Sequence, residues 1–388
     1  MSTDARNADD RTARLGLAWV GDAGDPVVAA LVERVGAPEA WRAVRTGVLG
    51  EAVAGRAGGF DGSALLAAQE AAGARFVVPG DEEWPDGLDD LTGLDPVQRR
   101  GGAPLGLWLR GPGHLVELTR RSVAVVGSRA ATAYGNGVAA DLGADLADAG
   151  VTVVSGGAFG IDAAAHRGAL AVGGPSVGVV ANGVDVAYPP GNARIFEALA
   201  ERHLVVSELP PGAHPTRVRF LARNRLIAAL AGGTVVVEAA LRSGARNTAS
   251  WASALGRPVM AVPGPVHSAA SAGPHLMVRS GQAVLVTRAA EVLELVSAAG
   301  QHLLVPEQGP TRRTDRLDPT QLAVFEALSA RVWRTAGELA RTAGVRVPVC
   351  LAALTELESL TLATGDARGW RATPLRDAGG GSTSVDGR

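Results

Sequence analysis

Residues 122–135 read SVAVVGSRAATAYG, a short Val-rich run that ends in Gly127-Ser128-Arg129 and passes into a helix-forming stretch. Its residues are continuously apolar or small, without polar alternation, as in a strand covered on both faces of a parallel sheet. The pattern recurs in VTVVSG (151–156), SVGVVA (176–181), HLVVSE (203–208), GTVVVE (233–238), PVMAVPG (258–264) and AVLVT (283–287). Helix-like segments such as AYGNGVAADLGADLADAG and NTASWASALG lie between them. Strand and helix alternating at this spacing predict an α/β fold with a doubly wound parallel sheet.

Glycines and small polar residues gather where these strands end: Gly127-Ser128-Arg129, Ser155-Gly156-Gly157, Asn182-Gly183 and Pro263-Gly264. In an open parallel sheet those ends share one edge, and ligands bind in the crevice outside it. Glycine lets backbone approach a phosphate, and helix N-termini add positive dipole. Each loop alone is equally readable as a tight turn; four on one edge point to a ligand. The first loop is not G-x-G-x-x-G, and the second strand lacks the acid that holds a dinucleotide ribose, so no nicotinamide or flavin cofactor is expected. Arg129 instead places a planar, permanent cation at the mouth of the crevice. A second basic element, PTRVRFLARNRLIAALA (215–231), carries Arg217, Arg219, Arg223 and Arg225 with no acid among them. With 217–220 extended, Arg217 and Arg219 share a face, and Arg223, Asn224 and Arg225 stand at the entry of the next helix. Cations there favour an anionic ligand, since the helix dipole itself prefers acids. Plain solvated arginines are the competing reading.

The chain has 388 residues, 47% of them hydrophobic, and a formal charge of −2. It is therefore not generally basic, although a local basic groove remains compatible with that balance. All 37 basic residues are arginine. Without lysine there is no Walker A phosphate loop and no Schiff-base chemistry. Cys350 is the single cysteine, which excludes an intrachain disulfide and a cysteine zinc cluster, and no other metal site is expected. No apolar run approaches the roughly 18 residues of a membrane span, and the polar start lacks the order of a secretory signal. A cytoplasmic protein is expected.

Five motifs in order, VAVVGSRAATAYG, SGGAFGIDAAAHRGAL, GVVANGVDVAYPPGN, SELPPGAHPTRVRFLARNRLIAAL and VVVEAALRSGARNTASWASALGRPVMAVPG, resemble the DprA/Smf family of DNA-processing proteins. The resemblance covers about 122–290, and more weakly the lead-in and flanking modules. It implies an extended Rossmann-like domain that holds single-stranded DNA without catalysis, forms a homodimer, and helps load the RecA recombinase. Matched by motif, the DNA-facing residues are Gly127, Ser128 and Arg129; Ser155, Gly156, Gly157, Phe159, Gly160 and Asp162; and Arg223, Asn224 and Arg225, with Arg217 and Arg219 from the same basic run. Phe159 stands where some relatives have a basic residue, and either stacks on a base or fills the loop. Leu221 replaces a frequent proline after Phe220. SGARNTA (243–249) places Arg246 and Asn247 near the same edge.

Other chemistry is weaker. Asp162 and His166 are four apart and share a helix face, without further ligands at metal spacing; a capping or structural Asp with a packed His is the expectation. Neither Ser128 nor Ser155 lies in a G-x-S-x-G elbow. Glu238 in GGTVVVE partly matches the loop of LOG-type nucleotide phosphoribohydrolases, the alternative function. Expected domain limits are a small helical domain at 1–75, resembling helix-hairpin-helix or SAM-like modules, and the Rossmann-like domain with its lead-in at 76–300. A linker at 301–316, a winged-helix domain at 317–376 and a disordered tail at 377–388 follow. The third helix of that winged unit, PVCLAALTELES, offers Glu356 and Glu358 and no base, so reading of duplex DNA is not expected from it. Trp251, on an apolar helix, is either partly exposed and a contact for self-association or an ordinary core residue.

Overall fold

The computed structural model describes residues 3–298, 300–302 and 313–374. Two compact units divide the chain, Met1–Leu304 and Val305–Arg388.

The first unit opens with five helices: α1 (Thr3–Val20), α2 (Pro26–Val35), α3 (Ala37–Arg45), α4 (Glu51–Gly58) and α5 (Gly62–Ala71). Local chemistry sets their starts. Asp25 accepts from the Val27 amide at 2.9 Å with Pro26 next in line, and Asp61 accepts from the Ser63 and Ala64 amides. Leu17, Val20, Val28, Leu31 and Val44 form their shared core. Strands β1 (Ala74–Val77) and β2 (Leu107–Arg110) follow, then α6 (Leu115–Thr119), β3 (Ser122–Val126), α7 (Ala133–Asp148), β4 (Thr152–Ser155) and α8 (Ile161–Ala171). Next come β5 (Ser176–Val179), α9 (Ala193–Arg202), β6 (Leu204–Ser207), α10 (Arg217–Ala229), β7 (Thr234–Val236) and α11 (Gly244–Ala254). The unit closes with β8 (Val259–Ala261), α12 (Ala272–Arg279), β9 (Val284–Leu285) and α13 (Ala289–Val296).

The nine strands form one sheet in the order β1-β2-β6-β5-β4-β3-β7-β8-β9. The strands from β6 across to β9 are parallel, whereas β1 and β2 add to the β6 side as antiparallel neighbours. Every expected strand segment is present, each trimmed by a residue or more. The antiparallel pair is an addition that its Pro- and Gly-rich surroundings concealed. Both faces are covered, as continuous apolar runs require. Val123 and Val125 pack with Leu142, Leu146 and Ile161 on one side; Ala124 and Val126 pack with Leu226 and Trp251 on the other. Fully burying each such Val or Leu stabilises the fold by about 1.5–3 kcal/mol. From β3 the chain winds out to β6 and then returns to β3's other flank with β7. In open α/β sheets ligands bind outside the strand ends beside such a reversal.

One expectation is corrected and one alternative is settled. Residues 217–220 are not extended: Thr216 caps α10 by accepting from the Arg219 amide at 3.3 Å, so the helix begins at Arg217. Trp251 is not partly exposed but fully buried in the core, which removes it as a contact for self-association.

In the second unit a 3₁₀ turn (Arg313–Arg316) precedes α14 (Pro319–Ala327), α15 (Ala336–Ala343) and α16 (Val347–Ser359), and then a hairpin of β10 (Ala363–Asp366) and β11 (Gly369–Ala372). Capping boxes start two of the helices, Asp318 with Gln321 and Thr335 with Glu338. Val324, Leu339, Leu354, Leu357 and the buried Cys350 make its core. Most of the expected linker and the whole of the expected tail lie outside the described residues.

Candidate nucleic-acid interface

The loops that follow the parallel strands converge on one edge, and the first two interlock. Ile161, at the start of α8, donates its amide to the Ser128 carbonyl at 3.2 Å. Gly160 permits this approach: its φ is +77°, and a Cβ there would lie 2.2 Å from the Ser128 oxygen. Gly127 and Ser128 are partly exposed, and Arg129 projects into solvent. The Arg129 guanidinium lies 4.5 Å from the centroid of the Phe220 ring, which comes from the first turns of α10. Tyr188, from the loop after β5, packs against the same ring at 5.9 Å and is itself 40% exposed. Phe159 is half-exposed on the β4–α8 loop, close to Gly191. One ring thus ties together three loops and holds a cation over its face at the rim. An exposed guanidinium over a ring face has N–H groups to offer to phosphate oxygens.

Beneath the rim the same motifs point inward. Arg225 is fully buried, with both terminal nitrogens on the Glu208 carboxylate at 2.5 and 2.6 Å and its Nε donating to the Gly102 carbonyl at 2.9 Å. The Gly21–Asp25 turn of the N-terminal helices covers it. Gly24 leaves 3.3 Å from its Cβ position to the Arg225 Cζ, and its carbonyl accepts from the Gly101 amide at 3.0 Å. Arg223 is also buried and donates to the Val179 carbonyl at 2.6 Å. Its guanidinium occupies the space beside Gly156, where a Cβ would come within 1.9 Å of Nη1. Burial lowers its pKa to about 10, opposed by the neighbouring Asp162. Asp162 is buried as well, and desolvation raises its pKa against the pull of Arg223. Asn224 donates to the Asn247 side chain at 3.2 Å. Ser155 donates to the Val125 carbonyl at 2.7 Å. His166 bonds Ser176 through Nδ1 at 2.8 Å, and burial lowers its pKa to about 4.

The residues marked in the sequence therefore fall into two layers. Gly127, Ser128, Arg129, Phe159, Gly160, Arg217, Arg219 and Arg246 lie at or near the rim; Arg219 and Arg246 donate to the carbonyls of His214 and Leu241. Ser155, Gly156, Gly157, Asp162, Arg223, Asn224 and Arg225 lie below it. The placement of 223–225 at a helix entry is corrected: they sit in the middle of α10, where the helix is buried all round. Sequence reasoning missed Tyr188 and the pairing role of Phe220. It also missed Arg194 and Arg242, exposed at or near the starts of α9 and α11 on this edge.

Acids on the edge are occupied. Asp185 accepts from the Gly212 amide, and Glu208 holds Arg225. Glu238 accepts from the Thr132 amide at 2.9 Å and from its hydroxyl at 2.6 Å. The local field at the rim is thus set by arginines, despite the overall charge of −2. Among the described residues no cluster of three or more His, Cys, Asp or Glu could hold a metal, and no helix is long and apolar enough to cross a membrane.

The family described as DNA recombination-mediator protein A matches residues 75–297. The chain is 45% identical over 369 residues to a DNA processing protein DprA of Mycobacterium tuberculosis, covering 93% of each. It is 40% identical over 251 residues to protein Smf of Escherichia coli, covering 63% of this chain and 66% of that one. The crystal structure of DNA processing protein A from Streptococcus pneumoniae superposes with a TM-score of 0.61 at 30% identity, covering 73% of this chain and 97% of that one. The chain belongs to the DprA/Smf family of DNA-processing proteins.

Proposed function

We propose that this chain binds single-stranded DNA in the strand-end crevice, without catalysis, to protect it and help load RecA during DNA processing in the cytoplasm. The observation that carries the reading is Arg129 held over the Phe220 ring at a rim whose acids are otherwise engaged. Phosphates meet Arg129, Arg217 and their neighbours, while Phe159 and Tyr188 offer ring faces to unstacked bases. The buried residues from Ser155 to Asp162 and Arg223 to Arg225 act by shaping these loops. RecA loading and self-association as a homodimer enter from the family resemblance, as do the helix-hairpin-helix-like character of the N-terminal helices and the winged-helix character of the second unit. Against the alternative of a nucleotide phosphoribohydrolase, Glu238 is buried with both oxygens on Thr132.

The test is a salt titration of single-strand binding by the full chain. Log affinity falls linearly with log salt, by about 0.7 per neutralised phosphate. Arg129→Ala with Arg217→Ala lowers affinity across sequences and flattens the slope by about 1.4. Unchanged affinity and slope refute the crevice; release of free base from nucleotides, lost in Glu238→Gln, reinstates the enzyme reading. Sedimentation velocity over rising concentration tests self-association, which a constant monomer rules out.

A further inference from the structure

In the second unit, charge is sorted by face. The acids on α16 are tied down: Glu356 accepts from Gln321, and Glu358 accepts from the Gly365 amide at 3.1 Å. Across the hairpin the composition reverses. The segment 331–334, Arg-Val-Trp-Arg, runs beside β11, with Arg334 and Trp370 exchanging backbone hydrogen bonds at 2.8 and 3.0 Å. This pairing brings Trp333 against the hairpin, where the guanidiniums of Arg368 and Arg371 lie 4.3 and 4.5 Å from its ring centroid. Arg331 and Val332 are exposed next to them, and Arg334 donates one nitrogen to the Ala327 carbonyl. One facing acid is Asp366, paired with Arg368 at 2.5 Å in the open, where such a pair is weak. Two arginines on one tryptophan ring, with Arg331 and Arg334 flanking it in the chain, thus stand against two exposed carboxylates, Asp366 and, beside Arg334, Glu338.

We propose that this face, Arg331, Trp333, Arg334, Arg368 and Arg371, is a second nucleic-acid site that grips the phosphate backbone without reading bases. Two like charges drawn onto one ring repel, and an anion between their edges relieves that repulsion. The Asp366 carboxylate accepts from the Nε and Nη2 of Arg368 in the open, where a phosphate oxygen would make the same bonds. An acidic peptide offers charge too, and the test below separates it from a phosphate backbone. Bases are not read because the ring is already occupied by guanidiniums, and the hydroxyls of Thr355 and Ser359 on α16 donate to carbonyls of their own helix. The backbone pairing of Arg334 with Trp370 adds Arg331 and Arg334 to the arginines of the hairpin. The site is independent of the crevice proposal.

The test uses the full chain with Arg129→Ala, which weakens the crevice, and adds Arg368→Ala with Arg371→Ala. Probes are a mixed-sequence duplex, a single strand and a poly-glutamate peptide. Duplex affinity is expected to fall at least tenfold, and the salt slope by about 1.8, alike for unrelated sequences. Arg368→Lys with Arg371→Lys keeps the charge but loses the planar guanidinium, and restores affinity only in part. In the chain with Arg129 intact, single-strand binding changes less than twofold. Unchanged duplex affinity, full rescue by lysine, strong sequence dependence, or loss of peptide binding with duplex binding retained overturns the proposal. Retained thermal unfolding of the variants establishes that the unit is still folded.

Discussion

Arg129 and Arg225 belong to neighbouring motifs of the same crevice, yet they sit in opposite environments. Arg129 lies in solvent on the face of Phe220, whereas Arg225 is sealed beneath the rim against Glu208. A solvated, ring-stacked cation contributes little to stability and is available to a ligand. A sealed ion pair contributes no free charge, but removing one partner strands the other in a medium that cannot solvate it. The contrast teaches that the arginine-rich run of α10 divides its work: its start and rim neighbours supply contacts, and its middle fixes the loops that present them.

The largest effect is expected from the sealed side. Arg225→Ala leaves Glu208 buried and unpaired and should destabilise the first unit by about 3–5 kcal/mol, read from chemical denaturation. Arg129→Ala in the same assay should move stability by less than about 0.5 kcal/mol. Equal effects would erase the distinction between the layers. A pH series sharpens it further. The His166 pKa is about 4 in the folded chain against 6.5 when free, so between those values the unfolded state binds the extra proton. Stability therefore declines as pH falls from 6.5 towards 4, by on the order of 3 kcal/mol for this group. His166→Gln should flatten that segment, and an unaltered pH profile would place the titration elsewhere. The smallest effect concerns the rim itself. Phe220→Leu keeps an apolar side chain but removes the ring beneath Arg129, and single-strand affinity should drop roughly two- to fivefold, on the scale of an exposed cation–π contact. Phe220→Tyr should restore it. A drop in Phe220→Leu that persists in the Arg129→Ala background would show that the ring acts by another route.

Much of this arrangement was legible in residue order. Uninterrupted Val-rich runs such as 122–126 mark strands buried on both faces, because no polar alternation is needed where neither side meets water. The glycine-rich strand ends located the crevice for the same local reason. What the sequence concealed was direction. Arg217 and Arg225 read alike, and only the position of Thr216 as a cap decides where α10 begins and so which arginines turn inward. The pairing of Arg129 with Phe220, 91 positions away, depends on the approach of separate loops and has no local signature. Strands β1 and β2 were hidden for a related reason: their partners are each other and β6, contacts that short segments among prolines and glycines do not announce.

The turn at Gly21–Asp25 gives the N-terminal helices a part in the crevice they do not line. Their backbone lies over the guanidinium of Arg225 like insulation over a conductor, keeping water from the ion pair with Glu208. Attraction between charges scales inversely with dielectric: about 4 kcal/mol for a pair 4 Å apart at an effective value of 20, and about 1 in water. A chain shortened to begin at residue 74 retains every strand of the sheet and every rim arginine but strips that insulation. The loosened pair then holds α10 less firmly, and Phe220, carried on the same helix, loses its fixed station beneath Arg129. Distant helices thereby set the sharpness of a binding edge through nothing more than the exclusion of water.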